Sequence, residues 1–316
     1  MSLILASEDE YEDLLGLWAD LEAGLGVILA YPANVQEFLA RAPQYDRWML
    51  DLLQRDTDVG LYLLFQLATH SSAGYSTSHA LVCAVLCHLI AVDFAQPVSE
   101  RNGLVRAALT MNIAMTALQD QLANQSARPN LEQQLAIKSH ASQGAELLGN
   151  MGVTDSLWLN IIELHHTDVV RKQERQTPSQ RLAHILCVID RYAAMISPRQ
   201  SRAGRSTAES AQSILNTADG LGQHVEQALV RIVGLYPPGT FVQLENGEVA
   251  VVTRRSNQPN LPDVAIVINQ NGNTVKPPCL HRTALRGPAI QSALAASAAP
   301  DRINHHLILK LGMQAT

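Results

Sequence analysis

Along residues 8–70 apolar side chains return every three or four positions: Leu14, Leu15, Leu17, Trp18, Leu21, Leu25, Val27 and Ile28, then Trp48, Leu50, Leu52 and Leu53. This spacing lines one face of a 3.6-residue helix and predicts a helical N-terminal segment, interrupted at Tyr31-Pro32-Ala33-Asn34. Ser76-Thr77-Ser78 reads as the start of a helix over 79–94, and the same periodicity predicts helices over 101–124, 131–151, 154–166, 178–196 and 207–233. The pattern changes at Tyr236-Pro237-Pro238-Gly239. From there, 240–244, 249–254 and 264–269 are short β-branched runs separated by Asn246-Gly247 and Asn271-Gly272, which predicts hairpins. Beyond Arg286 the Ala/Ser-rich stretch 289–299 is too weakly apolar to demand a core, although Leu307, Ile308, Leu309 and Leu311 can dock as a last helix or strand. The expected organisation is an N-terminal helical segment (1–70), an α-helical domain (71–235), a small β-hairpin or barrel-like unit (236–286) and a loosely ordered tail (287–316). The fold class is mainly α.

Composition narrows the partners. Of 316 residues 47% are hydrophobic and only 16% charged, against about a quarter in an average soluble protein, so disorder is excluded for most of the length. The net charge of −6 and the lack of a basic block argue against wrapping nucleic acid. Small molecules or proteins are the expected partners. The first residues run straight into Glu8-Asp9-Glu10 without a basic n-region, and the best apolar run, 80–92, carries His88 and stops at Asp93. The four cysteines, Cys83, Cys87, Cys187 and Cys279, lack paired spacing and suit a reducing compartment. A cytoplasmic chain outside the membrane is expected. Neither a Gly-rich phosphate loop nor a G-x-S-x-G elbow is found.

The informative residues are histidines, 11 in all. His79, His140, His165, His166 and Asp190 fall in or at the ends of predicted helices, and imidazoles with a carboxylate suit a divalent metal. A lone helical histidine is more often a packing residue, and adjacent histidines diverge by about 100° on a helix, so only one of His165-His166 need face a site. His79, Cys83 and Cys87 recur at i, i+4 and i+8, but i+8 is too far along a helix for one ion, which assigns both thiols to packing. Arg254-Arg255 and Arg282 with Arg286 read either as an anion site or as solvated hairpin ends, and Trp18, Trp48 and Trp158 as core anchors.

Taken in order, Ser76-Thr77-Ser78-His79, Lys138-Ser139-His140, His165-His166 and Ile185-Leu186-Cys187-Val188-Ile189-Asp190 resemble the HD-GYP branch of the HD-domain phosphohydrolases over about residues 75–233. The stretch Gly234-Leu235-Tyr236-Pro237-Pro238-Gly239-Thr240-Phe241-Val242 resembles the β extension of many bacterial members and carries the likeness to about Thr283. The resemblance implies an HD-domain-like helical bundle, two or three divalent ions, commonly iron or manganese, and hydrolysis of cyclic di-GMP. It implies metal ligation by His79, His140, His165, His166 and Asp190. It also aligns Ser197-Pro198-Arg199-Gln200-Ser201-Arg202 with a stretch whose arginines would meet ligand phosphates, here Arg199 and Arg202; solvated helix-end charges are the alternative.

Two departures set the functional expectation. The family's A-L-L-H-D-I-G-K is replaced by Ala108-Leu109-Thr110-Met111-Asn112-Ile113-Ala114-Met115, and its H-H-E and G-Y-P loop by His165-His166-Thr167-Asp168 and a polar stretch. A bridging carboxylate screens two dications from each other and helps lower the pKa of a bound water. An amide beside a thioether does neither. Asp190 then stands as the only anionic family ligand, with Asp168 and Glu163 able to compensate only by moving in. The expected site is therefore at most mononuclear, one iron or manganese ion on His79, His140, His165 or His166 and Asp190, or else a hydrogen-bonded polar cluster with Asn112 in the metal position. The expected function is that of a bacterial signalling protein, catalytically inactive, that binds a cyclic dinucleotide or a protein partner; a homodimer is compatible with it. The alternatives are a metal-dependent phosphodiesterase with an unorthodox centre, and a purely structural module working through its N-terminal helices and β unit.

Overall fold

The computed structural model describes residues 8–32, 38–67, 73–167, 176–200, 204–216, 223–258, 260–295 and 303–313. Its order is α1 (Glu8–Ala30), α2 (Phe38–Arg55), α3 (Thr57–Leu67), α4 (Tyr75–Asp93), α5 (Val98–Thr110), a single 3-10 turn (Ile113–Met115), α6 (Thr116–Ala123), α7 (Leu131–Asn150), α8 (Ser156–Leu164), α9 (Pro178–Ile196), α10 (Thr207–Asn216), α11 (Gln223–Val233), β1 (Phe241–Leu244), β2 (Val249–Arg254), β3 (Asp263–Ile268), β4 (Thr274–Arg282), β5 (Ile290–Ala293) and α12 (His305–Met313). The chain is mainly helical with a small C-terminal antiparallel sheet, as its periodicity predicts.

Helix α4 is the axis of the bundle. It packs against α1, α3, α5, α6, α9 and α11, and an unbroken run from Ser76 to Cys87 is buried. A helix buried all round has no need of a polar face, which explains why this one is long and apolar enough to cross a membrane by composition while most of it lies inside the protein. Its start differs from the sequence expectation. Ser76-Thr77-Ser78 lies within the first turn, and the cap comes from another helix: the Asp120 carboxylate of α6 accepts from the Ser76 backbone N–H (2.7 Å) and hydroxyl (2.9 Å). Carboxylate at a helix N-terminus satisfies orphan N–H groups and complements the dipole.

Two expected helices are broken. The run predicted over 101–124 divides at Met111-Asn112, where the Asn112 carbonyl accepts from Met115 N–H (2.8 Å) and a new helix begins at Thr116. The run predicted over 207–233 is two helices, α10 and α11. The helices that carry the later site are fixed at their starts by sequence-local chemistry. Asn130 and Gln133 form a reciprocal capping box for α7, Thr177 and Gln180 form another for α9 with Pro178 in the first turn, and Asp155 caps α8 by accepting from Leu157 and Trp158 N–H.

The sheet order is β4-β3-β2-β1-β5, with every neighbour antiparallel. Phe241, Val251, Ala265 and Val267 alternate onto the face joined to the helical core, and Val242, Leu244, Ala250, Val252 and Val264 form a second small core on the other. The loosely ordered tail is corrected within the described residues. β5 pairs with β1, and α12 packs on β2, β3, β4 and α1, burying Ile308 and Leu309.

Arg254 and Arg255, read from sequence as an anion site or solvated hairpin ends, are neither. Asp56 caps α3 by accepting from Asp58 N–H (2.9 Å) and Val59 N–H (3.1 Å), and the same carboxylate is ion-paired to Arg254. Arg254 also donates to the Gly312 carbonyl of α12 (2.8 Å), while Arg255 bonds Asp58 (2.6 Å) and the Ile232 carbonyl of α11 (2.8 Å). Two adjacent guanidiniums thus tie the N-terminal helices, α11 and α12 to the sheet. Breaking a mostly buried ion pair strands a charge. Arg254→Ala is therefore expected to lower the unfolding free energy by about 3 kcal/mol in urea denaturation. Asp56→Asn, which keeps the capping oxygen, should cost less.

Candidate metal centre

Helices α4, α7, α8 and α9 bring all five ligand candidates into one region. His140 is on α7, His165 is the C-terminal cap of α8 with His166 next, His79 is on α4 and Asp190 on α9. Gly144 lies one turn after His140. A β-carbon there would lie at ordinary van der Waals distance from Ile162 of α8 (3.6 Å), Ile113 (3.7 Å) and the Met111 carbonyl (3.7 Å), which places α7 against both α8 and the Met111-Asn112 turn. Trp158 fixes the same junction from α8 by donating its indole N–H to Thr110 Oγ1 (2.9 Å).

His140, His165 and His166 form a triangle, with ring centroids 5.3, 5.1 and 3.9 Å apart, and one nitrogen of each lies within 4.8 Å of the others. His140 and His165 are buried and His166 is exposed. Both members of the adjacent pair thus reach the cluster, because His165 ends the helix and His166 leaves it. In both buried rings Nδ1 faces a carbonyl three residues back, that of Ile137 at 2.5 Å and that of Ile162 at 2.6 Å. A carbonyl only accepts, so Nδ1 carries the proton and Nε2 is left as a lone pair. Among the described residues neither Nε2 has a hydrogen-bond partner, although both are buried. Buried polar atoms are rarely left so. The donor set therefore fits a divalent ion: buried imidazoles, tautomers fixed by the backbone, lone pairs converging.

A second group lies alongside. His79 Nε2 is 2.8 Å from Asp190 Oδ1 and 3.7 Å from Cys83 Sγ, and His79 Nδ1 is buried without a partner among the described residues. Of the hydrogen-bonded polar cluster expected as the alternative, the described residues contain the His79–Asp190 bond, but the Nε2 atoms of His140 and His165 have no partner there, from Asn112 or any other described residue. Met111 is fully buried as a packing residue, and Asn112 shapes the turn with its carbonyl. Glu163 is exposed; Asp168 and Arg202 lie outside the described residues.

Arg199 meets this region through an aromatic ring that the sequence reading did not single out. Tyr75 stacks on His79 (5.6 Å, 12° between planes), and Arg199 lies 4.8 Å over the same ring while donating to the Tyr75 hydroxyl from Nε (3.1 Å) and Nη2 (2.6 Å). The signal was present as an aromatic residue one turn before a candidate ligand, but its partner is 124 residues away.

Burial pushes the His165 imidazole down to about 3, with His166 acting in the same direction, and burial also lowers His140. Burial would raise Asp190, but its hydrogen bond to His79, the charge of His79 and then those of His165 and His166 hold it well below the usual carboxylate range.

The sign for stability follows. A histidine held neutral by the fold and titrating near 6.5 when unfolded lets the unfolded state bind the extra proton, so stability is full above 6.5 and falls as the pH drops from there toward 3. In metal-free protein, His165 alone should remove about 2 kcal/mol between pH 7 and pH 5, with His140 acting in the same sense. Urea unfolding at the two pH values should show the loss, and His165→Gln should reduce it. Asp190 works in the lower window: its stabilisation is full above about 4 and is lost only as the pH falls below that.

No protein-family model matches the chain, and no solved structure matches it significantly. Among curated proteins it is similar to a cyclic di-GMP phosphodiesterase of Pseudomonas aeruginosa, 26% identical over 246 residues that make up 76% of this chain and 56% of the relative. The chain thus spans just over half the length of that relative, and the match accords with the resemblance drawn from the motif residues.

Proposed function

We propose that this chain is a cyclic di-GMP signalling protein that holds a divalent ion among its histidines and binds the dinucleotide without turning it over. The observation that carries the reading is the pair of buried, unpartnered Nε2 atoms of His140 and His165, set beside a turn where Asn112 stands in place of a carboxylate. His140, His165 and His166, with His79 and Asp190 adjacent, would hold the ion, iron or manganese in the family it resembles. A divalent ion there supplies a Lewis-acid contact for a phosphate oxygen.

The remaining groups belong to the chain itself. Arg199 uses Nε and one Nη2 proton on Tyr75, which leaves three N–H donors of the guanidinium fork for a phosphate. The Tyr75 ring contacts both Arg199 and His79, which places that fork near the histidine region. Arg202, a few residues on, would add a second cation. Asn112 brings no negative charge, so it neither screens paired cations nor accepts a proton from water. The helical domain, 71–235, would be the ligand-binding unit, with the N-terminal helices and the β unit available to a protein partner.

The second reading, a metal-dependent phosphodiesterase, is favoured by the activity named for the Pseudomonas relative and by the presence of His79, His140, His165 and His166, although the histidine of the motif pair is replaced by Met111. One experiment separates the two. Manganese- or iron-loaded protein is titrated calorimetrically with cyclic di-GMP, and the cell contents are then chromatographed. Saturable binding, with the dinucleotide recovered intact and affinity weakened about tenfold by Arg199→Ala, is expected, since a hydrogen bond to a charged group contributes about 1.5 kcal/mol. Accumulation of linear product, abolished by Asp190→Ala, installs the phosphodiesterase instead. An absence of binding heat and product together leaves the structural-module reading. Metal analysis of the same preparations should show bound ion in the wild type and its loss in His165→Ala.

A further inference from the structure

Cys83 follows His79 by one helical turn on α4, so both side chains leave the helix on one face. Its thiol is fully buried, and Sγ lies 3.7 Å from the same His79 Nε2 that is 2.8 Å from Asp190 Oδ1. One ring nitrogen therefore faces a carboxylate and a thiol at once. It can donate its proton to Asp190 or accept one from Cys83, but it cannot do both. A cation in place of that proton meets all three groups. The three ligand atoms lie within 4.8 Å of one another, and tetrahedral zinc with ordinary Zn–N and Zn–S bonds separates nitrogen and sulfur by about 3.6 Å, close to the spacing seen here. Cys87, a further turn along, is buried but outside this group.

We propose that His79, Cys83 and Asp190 form a second metal site beside the three-histidine cluster, selective for a thiophilic divalent ion such as zinc. The proposal rests on reading the histidine region as metal-binding, and it changes the charge count that the motif positions alone suggest. With Asn112 neutral, Asp190 is the only anion among the matched ligands. A Cys83 thiolate is a second one at a position the family motif does not use. Binding replaces the S–H bond with a sulfur–metal bond and releases that proton to solvent, while His79 ligates through Nε2 as the neutral tautomer with its proton on Nδ1, so the site gains one negative ligand per ion bound. Soft thiolate also shifts preference from manganese toward zinc. Three protein ligands leave one tetrahedral position open.

Cobalt(II) reads this directly in the full chain, without reference to activity. Metal-free protein titrated with cobalt should develop a near-ultraviolet thiolate-to-cobalt charge-transfer band together with visible d–d absorption. Cys83→Ser should lose the band and keep the d–d absorption of the histidine cluster, while Cys87→Ser should keep both. A wild type that binds cobalt without the charge-transfer band, or a band that persists in Cys83→Ser, overturns the thiolate site and leaves the histidine site standing. Failure to bind any cobalt overturns both. Should Cys83→Ser not fold, X-ray absorption of the zinc-loaded wild type decides: a sulfur scatterer at about 2.3 Å is expected, and a shell of nitrogen and oxygen alone sinks the proposal.

Discussion

An imidazole that donates its Nδ1 proton to a carbonyl of its own helix has only a lone pair to offer at Nε2, and it offers it in a direction set by the backbone. His140 and His165 both do this. In α8 the acceptor, Ile162, belongs to the last turn, where carbonyls lack helical partners, so His165 serves at once as a helix terminator and as an oriented donor. In α7 the acceptor is inside the helix, and the His140 ring folds back over its own turn. Without these two bonds the rings could rotate, take up other tautomers and find partners for their buried nitrogens. With them, the nitrogens stay unpartnered at 4% and 1% residue exposure, and the geometry of the region is fixed before any ligand arrives.

The rest of the bundle serves to hold those two helices in register. Their starts are set locally, by the Asn130–Gln133 box and by Asp155; α7 packs against α8 at Gly144, and the Trp158 bond to Thr110 ties α8 to α5. Farther out, Asp56 carries two loads on one carboxylate, capping α3 and pairing with Arg254, so the N-terminal helices and the sheet are joined at a helix terminus, where a small displacement would disturb both.

What the sequence could and could not reveal divides along the range of the interactions. Helix α9 is legible to the residue because its start is written in Thr177-Pro178 and Gln180 and its apolar stripe is continuous. The β1–β2 hairpin is legible because Gly247 takes the positive φ its turn requires. β4 is not, since Pro277-Pro278 argues against a strand, and only its place at the sheet edge makes the prolines tolerable. The Arg254–Asp56 pair spans 198 residues and leaves no local trace. Motif order points to the five ligand candidates; the spacing argument against a thiolate ligand applies to Cys87 at i+8, while Cys83 at i+4 shares a helix face with His79. Tyr75 stands in the sequence only as an aromatic residue one turn before His79, because its stacking on His79 and its hold on Arg199 are both consequences of the fold.

Met111-Asn112, which stands where the family that the chain resembles has a histidine-aspartate pair, has a structural role of its own. Met111 fills core volume, and Asn112 turns the chain, its carbonyl receiving the Met115 N–H and the Thr116 hydroxyl. That turn still packs against the His140 helix. The segment packs against the His140 helix while carrying neither a charge nor an imidazole, so an ion held beside it would find no ligand of either kind in this turn. Electroneutrality then falls to whatever acidic group lies nearest. Asp190 is one, and among the described residues the buried thiol one turn beyond His79 is a second group that can become negative without moving a helix. Whether the region binds one ion or two is, on this geometry, a question about a sulfur atom and not about the residues at the motif position.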